Sequence, residues 1–298
     1  MGLLSVIIPN RNSPFLTKTI EDLLEKAEGE VEIVVHVDEN PPERYVDDPR
    51  ARYVHPGAPQ GLRRGINAAV SLAKGEHIMK IDDHCLVGQG YDRILIENHR
   101  EDNWVQIPRR YALDVENWRI EERGDDKYPI DYMYLDFPRK GKDHDDGMHG
   151  VPWKQRRNER KEIEVDDTPS FQGSCYFMRR DYFNDFLHGM NEEGYGQFSQ
   201  EAQEIGFKTW LGGGAVKVNK KTYYAHLHKG GRYGKMYNIP NWNKYTKEAS
   251  EWSADHWLNN RWPDRKHDFS WFVDEMFPGM PSWPVNWKEQ IKEMGWTN

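Results

Sequence analysis

His77-Ile78-Met79-Lys80-Ile81 runs into Asp82-Asp83-His84: a short apolar stretch of strand character that stops on two carboxylates and an imidazole. Just before it, Leu62, Ile66, Ala69, Val70 and Ala73 recur at helical spacing between Gly61 and Ala73. Further upstream, Leu3 to Ile8 reads as a buried strand closed by Pro9. Ser13-Pro14 then starts a helix carrying Phe15, Leu16, Ile20, Leu23 and Leu24. Val31 to Val37 is a second strand ending at Asp38, the turn Asp38-Glu39-Asn40-Pro41-Pro42 follows, and Arg52-Tyr53-Val54 is a short third strand. Strand and helix alternating in this way predict a mostly parallel, Rossmann-like α/β sheet flanked by helices.

Downstream the pattern loosens. Residues 139–167 hold Arg139-Lys140-Gly141-Lys142, Asp143-His144-Asp145-Asp146 and the basic run Lys154 to Lys161, with few apolar residues. They read as a long, mobile surface loop. Strand character returns at Cys175 to Met178. Helices are expected over Asp181–Leu187 and Ser199–Phe207, with Gly212-Gly213-Gly214 closing the unit. From Asn238 onward the chain is Trp-rich (Trp242, Trp252, Trp257, Trp262, Trp271, Trp283, Trp287, Trp296) without a fixed period. The organisation expected is therefore a catalytic domain over 1–237 and a helical extension over 238–298, packed on it through aromatic burial.

Composition sets the class. In 298 residues, 41 Lys+Arg against 49 Asp+Glu leave a net charge of −8, and only 37% of residues are apolar. The 12 Trp, 15 Tyr and 11 Phe exclude a disordered chain. No apolar run is long enough to insert in a membrane, the first residues lack a basic signal-peptide region, and the two cysteines make no disulfide framework; a cytoplasmic setting is expected. The acidic balance excludes broad attraction to nucleic acid and leaves only a local basic patch such as Lys154–Lys161.

Open α/β sheets bind ligands beyond the carboxyl ends of their strands, where Asp38 and Asp82-Asp83-His84 both fall. Asp82 and His84 share one side of an extended segment, and a carboxylate with an imidazole suits Mn²⁺ better than the oxygen-preferring Mg²⁺. The third ligand is sought in Tyr224-Ala225-His226-Leu227-His228. Alone, the first motif is explained by a solvated turn and the second by a strand surface; together at strand ends they point to a metal.

These residues carry a family resemblance. Ser5-Val6-Ile7-Ile8-Pro9-Asn10-Arg11-Asn12 resembles the opening strand and loop of nucleotide-sugar glycosyltransferases with the GT-A fold. Val34 to Asp38 resembles their second strand, and Gly61 to Ala69 with Ala73-Lys74-Gly75-Glu76 their helix before the metal motif. Ile81-Asp82-Asp83-His84-Cys85 is similar to the Asp-x-His motif of polypeptide N-acetylgalactosaminyltransferases and overlaps the Asp-x-Asp of family-two enzymes. Glu201 to Gly213 resembles their acceptor-side helix. The resemblance covers roughly residues 3–232.

It implies a UDP-sugar donor and a hydroxyl acceptor. It implies Asp82, His84 and His226 (or His228 in its place) as ligands of Mn²⁺ or Mg²⁺, and Asp38 as the uracil partner. It further implies donor contacts from Pro9, Asn10, Arg11, Arg64, Asn67 and Asp83, close backbone approach at Gly173 and Ser174, and Glu201 facing sugar or acceptor. Ala202 stands where inverting enzymes carry their base, which favours retention. The acceptor stays open between a glycan, a protein and a hydroxymethylated base of phage DNA. Two rivals remain: an inactive carbohydrate-binding scaffold of the same fold, favoured only by Ala202, and a metal-dependent hydrolase or nucleotidyltransferase, disfavoured by the lack of a Gly-rich phosphate loop.

Overall fold

The computed structural model describes residues 2–122, 127–139, 148–228, 233 and 241–296. The first half runs β1 (Leu4–Asn10), α1 (Leu16–Lys26), β2 (Val31–Val37), β3 (Ala51–Val54), α2 (Leu62–Ser71), β4 (His77–Ile81), β5 (Cys85–Val87), α3 (Tyr91–Glu97) and β6 (Trp104–Asp114). The second half runs β7 (Arg119–Ile120), β8 (Met133–Leu135), β9 (Gly150–Pro152), α4 (Lys154–Glu159), β10 (Val165–Asp167), β11 (Cys175–Arg179), α5 (Glu201–Leu211) and β12 (Ala215–His226). A helix over Trp242–Leu258 and shorter helical turns complete the tail.

The main sheet is ordered β10-β12-β6-β11-β4-β1-β2-β3, with β5 beside β12. Pairs β1–β2, β1–β4, β2–β3 and β6–β12 are parallel, while β11 runs antiparallel between β4 and β6. Period-two sorting builds two cores from single strands. Val6 and Ile8 face α1, where Leu16, Ile20 and Leu23 meet them; Ile7 joins Ile66, Ala69 and Val70 of α2 on the opposite side.

This topology gathers chain ends at one edge. The carboxyl ends of β1, β2 and β4 lie side by side there, with the Asp38 amide donating to the Asn10 carbonyl. Because β11 is antiparallel, its start brings Gly173 and Ser174 to the same edge, and the Ser174 carbonyl accepts from the Asp82 amide.

The excursion over 139–167 is more structured than expected. Residues 140–147 lie outside the described ones, but β8 pairs with β9, α4 follows, and β10 adds to the sheet edge. Aromatic and guanidinium contacts replace the missing aliphatics: Trp153 meets Tyr134 edge-on, and Arg156 lies over Tyr132, Trp153 and Phe277. Three arginines of the basic run are engaged internally, Arg156 with the Asp167 carbonyl, Arg157 with the Pro129 carbonyl and Arg160 with Asp166. Over 181–187 the structure forms a π-helical turn, Tyr182–Phe186.

The expected boundary at 237/238 falls outside the described residues. Beyond it Trp257, Trp262, Trp287 and Trp296 are buried in the same core as α2 and α5. The helix Trp242–Leu258 also grips the segment before α5. The Tyr245 hydroxyl accepts from the Phe198 amide and donates to the Tyr195 carbonyl, and Trp257 donates to the Tyr195 hydroxyl. At Gly194 (φ +74°) the backbone approaches the Trp252 ring so closely that a Cβ would collide with it. Among the described residues, no helix is long and apolar enough to cross a membrane.

Candidate functional site

A cleft of about 640 Å³ opens at the shared strand edge, lined by Pro9, Asn10, Arg11 and Asp38 on one side and by Asp82, His84, Glu201 and His226 at its floor. β4 delivers Asp82, the turn into β5 delivers His84, and the antiparallel register of β12 with β5 sets His226 opposite Cys85, beside His84. The His84 and His226 Nε2 atoms are 2.9 Å apart, and Asp82 Oδ2 is 3.2 Å from His226 Nε2 and 3.9 Å from His84 Nε2. All three offer ligand atoms within 4.8 Å of one another.

The surroundings prepare this trio for a cation. Asp83 Oδ1 lies 2.6 Å from His84 Nδ1 and Oδ2 accepts from Asn10 Nδ2 at 2.7 Å, so Asp83 orients the ring and leaves Nε2 toward the cluster. Burial pushes His226 down to about 3, outweighing the favourable contact with Asp82, so the imidazole is neutral, the form that ligates metals. Burial works against ionised Asp82, but the Lys80 charge and the histidines prevail and hold its carboxyl well below the usual range. Two imidazoles and one carboxylate suit Mn²⁺ or a similar borderline ion.

The described structure places the other expected residues as follows. Glu201, at the start of α5, is buried; burial raises its carboxyl, with Lys80 opposing. Gly173 faces it: a Cβ there would lie 2.8 Å from Glu201 Oε2, so any side chain at 173 would displace the Glu201 carboxylate. Ser174 shares a 2.8 Å hydrogen bond with the Tyr224 hydroxyl. Asp38 Oδ1 accepts from the Gln60 and Gly61 amides and so fixes the loop before α2, while Oδ2 is 3.8 Å from Arg11. His228 is outside the trio and 2.8 Å from Arg110 Nη2.

Two expected donor residues point elsewhere. Arg64 is mostly exposed on α2 and pairs with Glu192 at 2.6 Å, away from the cleft. Asn67 exchanges hydrogen bonds with the Met190 backbone, fixing a loop rather than a ligand. The helical phase decides this: the side of α2 bearing Arg64 and Asn67 faces the 190–192 segment. Two charged residues at the site escaped the sequence reading. Lys80, in the mostly apolar strand β4, contacts Asp82 and Glu201 from behind the cleft lining, and Arg110 on β6, in register with Tyr224, lines the cleft itself. An interior lysine in a buried strand was the signal for the first; nothing in the local pattern marked the second.

The buried neutral histidines set a pH dependence. His99, on the far side of the sheet beside His77, is also pushed by burial to about 3. Its folded value lies below the unfolded value of about 6.5, so the unfolded chain binds more protons between these limits. Stability rises with pH across that window and is lost on acidification, by about 1.4 kcal/mol per pH unit per histidine. Urea unfolding at pH 4.5 and 6.5 measures the slope; His99→Gln is expected to flatten it by that amount, and an unchanged slope refutes the assignment.

The sequence model of Glycosyl transferase family 2 matches residues 5–187. Among curated proteins, the chain is 25% identical over 185 residues to polypeptide N-acetylgalactosaminyltransferase 12 of Mus musculus, covering 60% of this chain and 30% of that protein. It is 23% identical over 280 residues to polypeptide N-acetylgalactosaminyltransferase 4 of Mus musculus, covering 83% and 45%. The chain thus spans less than half the length of these relatives. Among solved structures, GalNAc-T7 with UDP, GalNAc and Mn²⁺ superposes with a TM-score of 0.70 at 17% identity, over 93% of this chain and 56% of that one. S. aureus TarS in complex with UDP-GlcNAc gives 0.55 at 17% identity, over 88% and 68%. At such identities the likeness speaks for the fold, which is the GT-A fold expected from the sequence.

Proposed function

The chain belongs to glycosyl transferase family 2, and from that premise we propose that it moves a sugar from a UDP-sugar to a hydroxyl acceptor with the help of a divalent cation. The observation that carries this reading is the Asp82–His84–His226 cluster at the strand edge, in the same cleft as Asp38. In this reading the three residues hold Mn²⁺, which when bound neutralises charge on the diphosphate leaving group. Asp38 and Arg11 flank the nucleobase. Gly173 and Ser174 admit the sugar to close backbone contact, and Glu201 faces it from α5. The names of the solved neighbours favour an N-acetylhexosamine as the sugar. With alanine at 202 and Glu201 anchored by Lys80, we assign retention of anomeric configuration, read by NMR of the first product formed.

Arg110 supplies the fixed positive charge. Arg110 is buried (5% exposed), its guanidinium touches Gln172 and His228, and its Nε has no hydrogen-bond partner among the described residues. A buried cation beside the proposed metal stabilises the charge that develops on the leaving diphosphate. Arg110→Gln is expected to lower kcat by about 100-fold while leaving the response to Mn²⁺ alone intact. An unchanged kcat removes Arg110 from the reaction.

The reading as a whole is tested by thermal melting with UDP-, GDP-, CMP- and dTDP-sugars, each with Mn²⁺, Mg²⁺ or EDTA. A ligand that binds only the folded state raises the melting temperature by mass action. A Mn²⁺-dependent rise with one UDP-sugar supports the proposal and names the donor. No rise with any nucleotide overturns it.

A further inference from the structure

Lys80 occupies a position where strand physics calls for an apolar side chain. It lies in β4, buried at every residue between β1 and β11, and its own side chain is 2% exposed. Lysine is almost never so buried without partners, and here the ammonium has three, as many as it has N–H groups. It donates to Asp82 Oδ1 at 2.6 Å and to the Gly173 carbonyl at 2.6 Å, and it pairs with Glu201 Oε1 at 3.2 Å.

The two oxygens of Asp82 are therefore divided. Oδ1 belongs to Lys80, and Oδ2 alone faces His226 and His84. The same ammonium holds the start of α5 through Glu201 and the start of β11 through Gly173. One buried cation thus connects the metal-facing carboxylate, the sugar-facing carboxylate and the glycine between them.

We propose that Lys80 is a positioning residue: it restricts Asp82 to a single metal-facing oxygen and fixes Glu201 in register with that site. This rests on the metal-dependent reading of the cleft. Its consequence is a trade. A fixed positive charge touching a ligand carboxylate weakens the hold on a divalent ion. In return the carboxylate on the sugar side has one orientation and no freedom to turn toward the metal.

The two effects have opposite signs in one variant, which a merely structural lysine would not produce. In Lys80→Met, binding of Mn²⁺ alone, followed by calorimetry without donor, is expected to tighten about tenfold, because the opposing charge is gone and both Asp82 oxygens are available. At saturating Mn²⁺ and donor, kcat is expected to fall about 100-fold with little change in the donor KM, because Glu201 has lost its anchor. Lys80→Met leaves the buried Glu201 carboxylate and the partly exposed Asp82 carboxylate without the cation between them, so Lys80→Met with Glu201→Gln, compared with Glu201→Gln alone, repeats the Mn²⁺ measurement in a background without that repulsion. Tightening in that pair supports the proposal. Unchanged or weaker Mn²⁺ binding in both comparisons overturns the role of Lys80. Failure of the unmodified protein to bind Mn²⁺ overturns the metal reading on which it rests.

Discussion

Replacing His226 by alanine is expected to abolish the Mn²⁺-dependent rise in melting temperature and to lower turnover by at least about 100-fold. The imidazole is 8% exposed, its Nε2 faces both His84 and Asp82, and burial keeps it neutral. No neighbour replaces it. His228, two residues on, is turned toward Arg110, and the cluster within ligand reach contains only Asp82, His84 and His226 among the described residues. His228→Ala is therefore the matched control and retains the Mn²⁺ response. Melting curves of both variants with and without Mn²⁺ decide the matter. A full Mn²⁺ response in His226→Ala, or its loss in His228→Ala instead, refutes the ligand assignment.

The second large effect is on folding. Arg63 has a side chain with no solvent exposure. Its guanidinium pairs with buried Glu204, donates to the Ser199 and Asn191 carbonyls, and lies 4.2 Å from the Tyr195 ring centroid. Removing the guanidinium strips the Ser199 and Asn191 carbonyls of their donor and leaves buried Glu204 with Lys208, 2.7 Å away, as its remaining cation, which costs about 3 kcal/mol. Arg63→Met is expected to destabilise the protein by that amount and to lower its melting temperature by roughly 10 °C. Arg64→Ala, which removes an exposed pair with Glu192, is expected to change stability by less than about 1 kcal/mol. Equal shifts in the two variants contradict this account.

The Arg63–Arg64 pair also shows where sequence reading reached and where it stopped. The strands and helices of the first third follow from periodicity and punctuation, and the structure places β1, β2, α2 and β4 where the apolar spacing put them. Asp82 and His84 were legible because strand ends are where such sheets bind ligands. What was not legible is helical phase. Adjacent arginines on α2 point to opposite fates, one into the core and one into water, and only the packing of the 190–204 segment decides which. Arg110 was hidden for a related reason. It becomes a cleft residue only because β6 pairs in parallel with β12, a contact between segments more than a hundred residues apart. Around Trp153 the sparse aliphatics suggested a loop, because stacked rings and arginine stems do not register as apolar periodicity.

The path of the chain between β6 and β11 has a bearing on diversification. β6 leaves the sheet at Asp114, and the chain returns to the sheet edge as β10 at Val165 and then enters beside β6 as β11 at Cys175. The stretch over 115–164 leaves one side of β12 at β6 and returns to its other side at β10, and it contributes Lys127, Met133, His149, Gly150 and Pro152 to the cleft wall. None of the Asp82, His84 and His226 group lies in it. The architecture therefore separates inheritance from adaptation. The Asp82–His84–His226 floor is tied to strand register, while the facing wall is a cassette that can lengthen, shorten or be exchanged without moving a single ladder hydrogen bond between β1, β2 and β4.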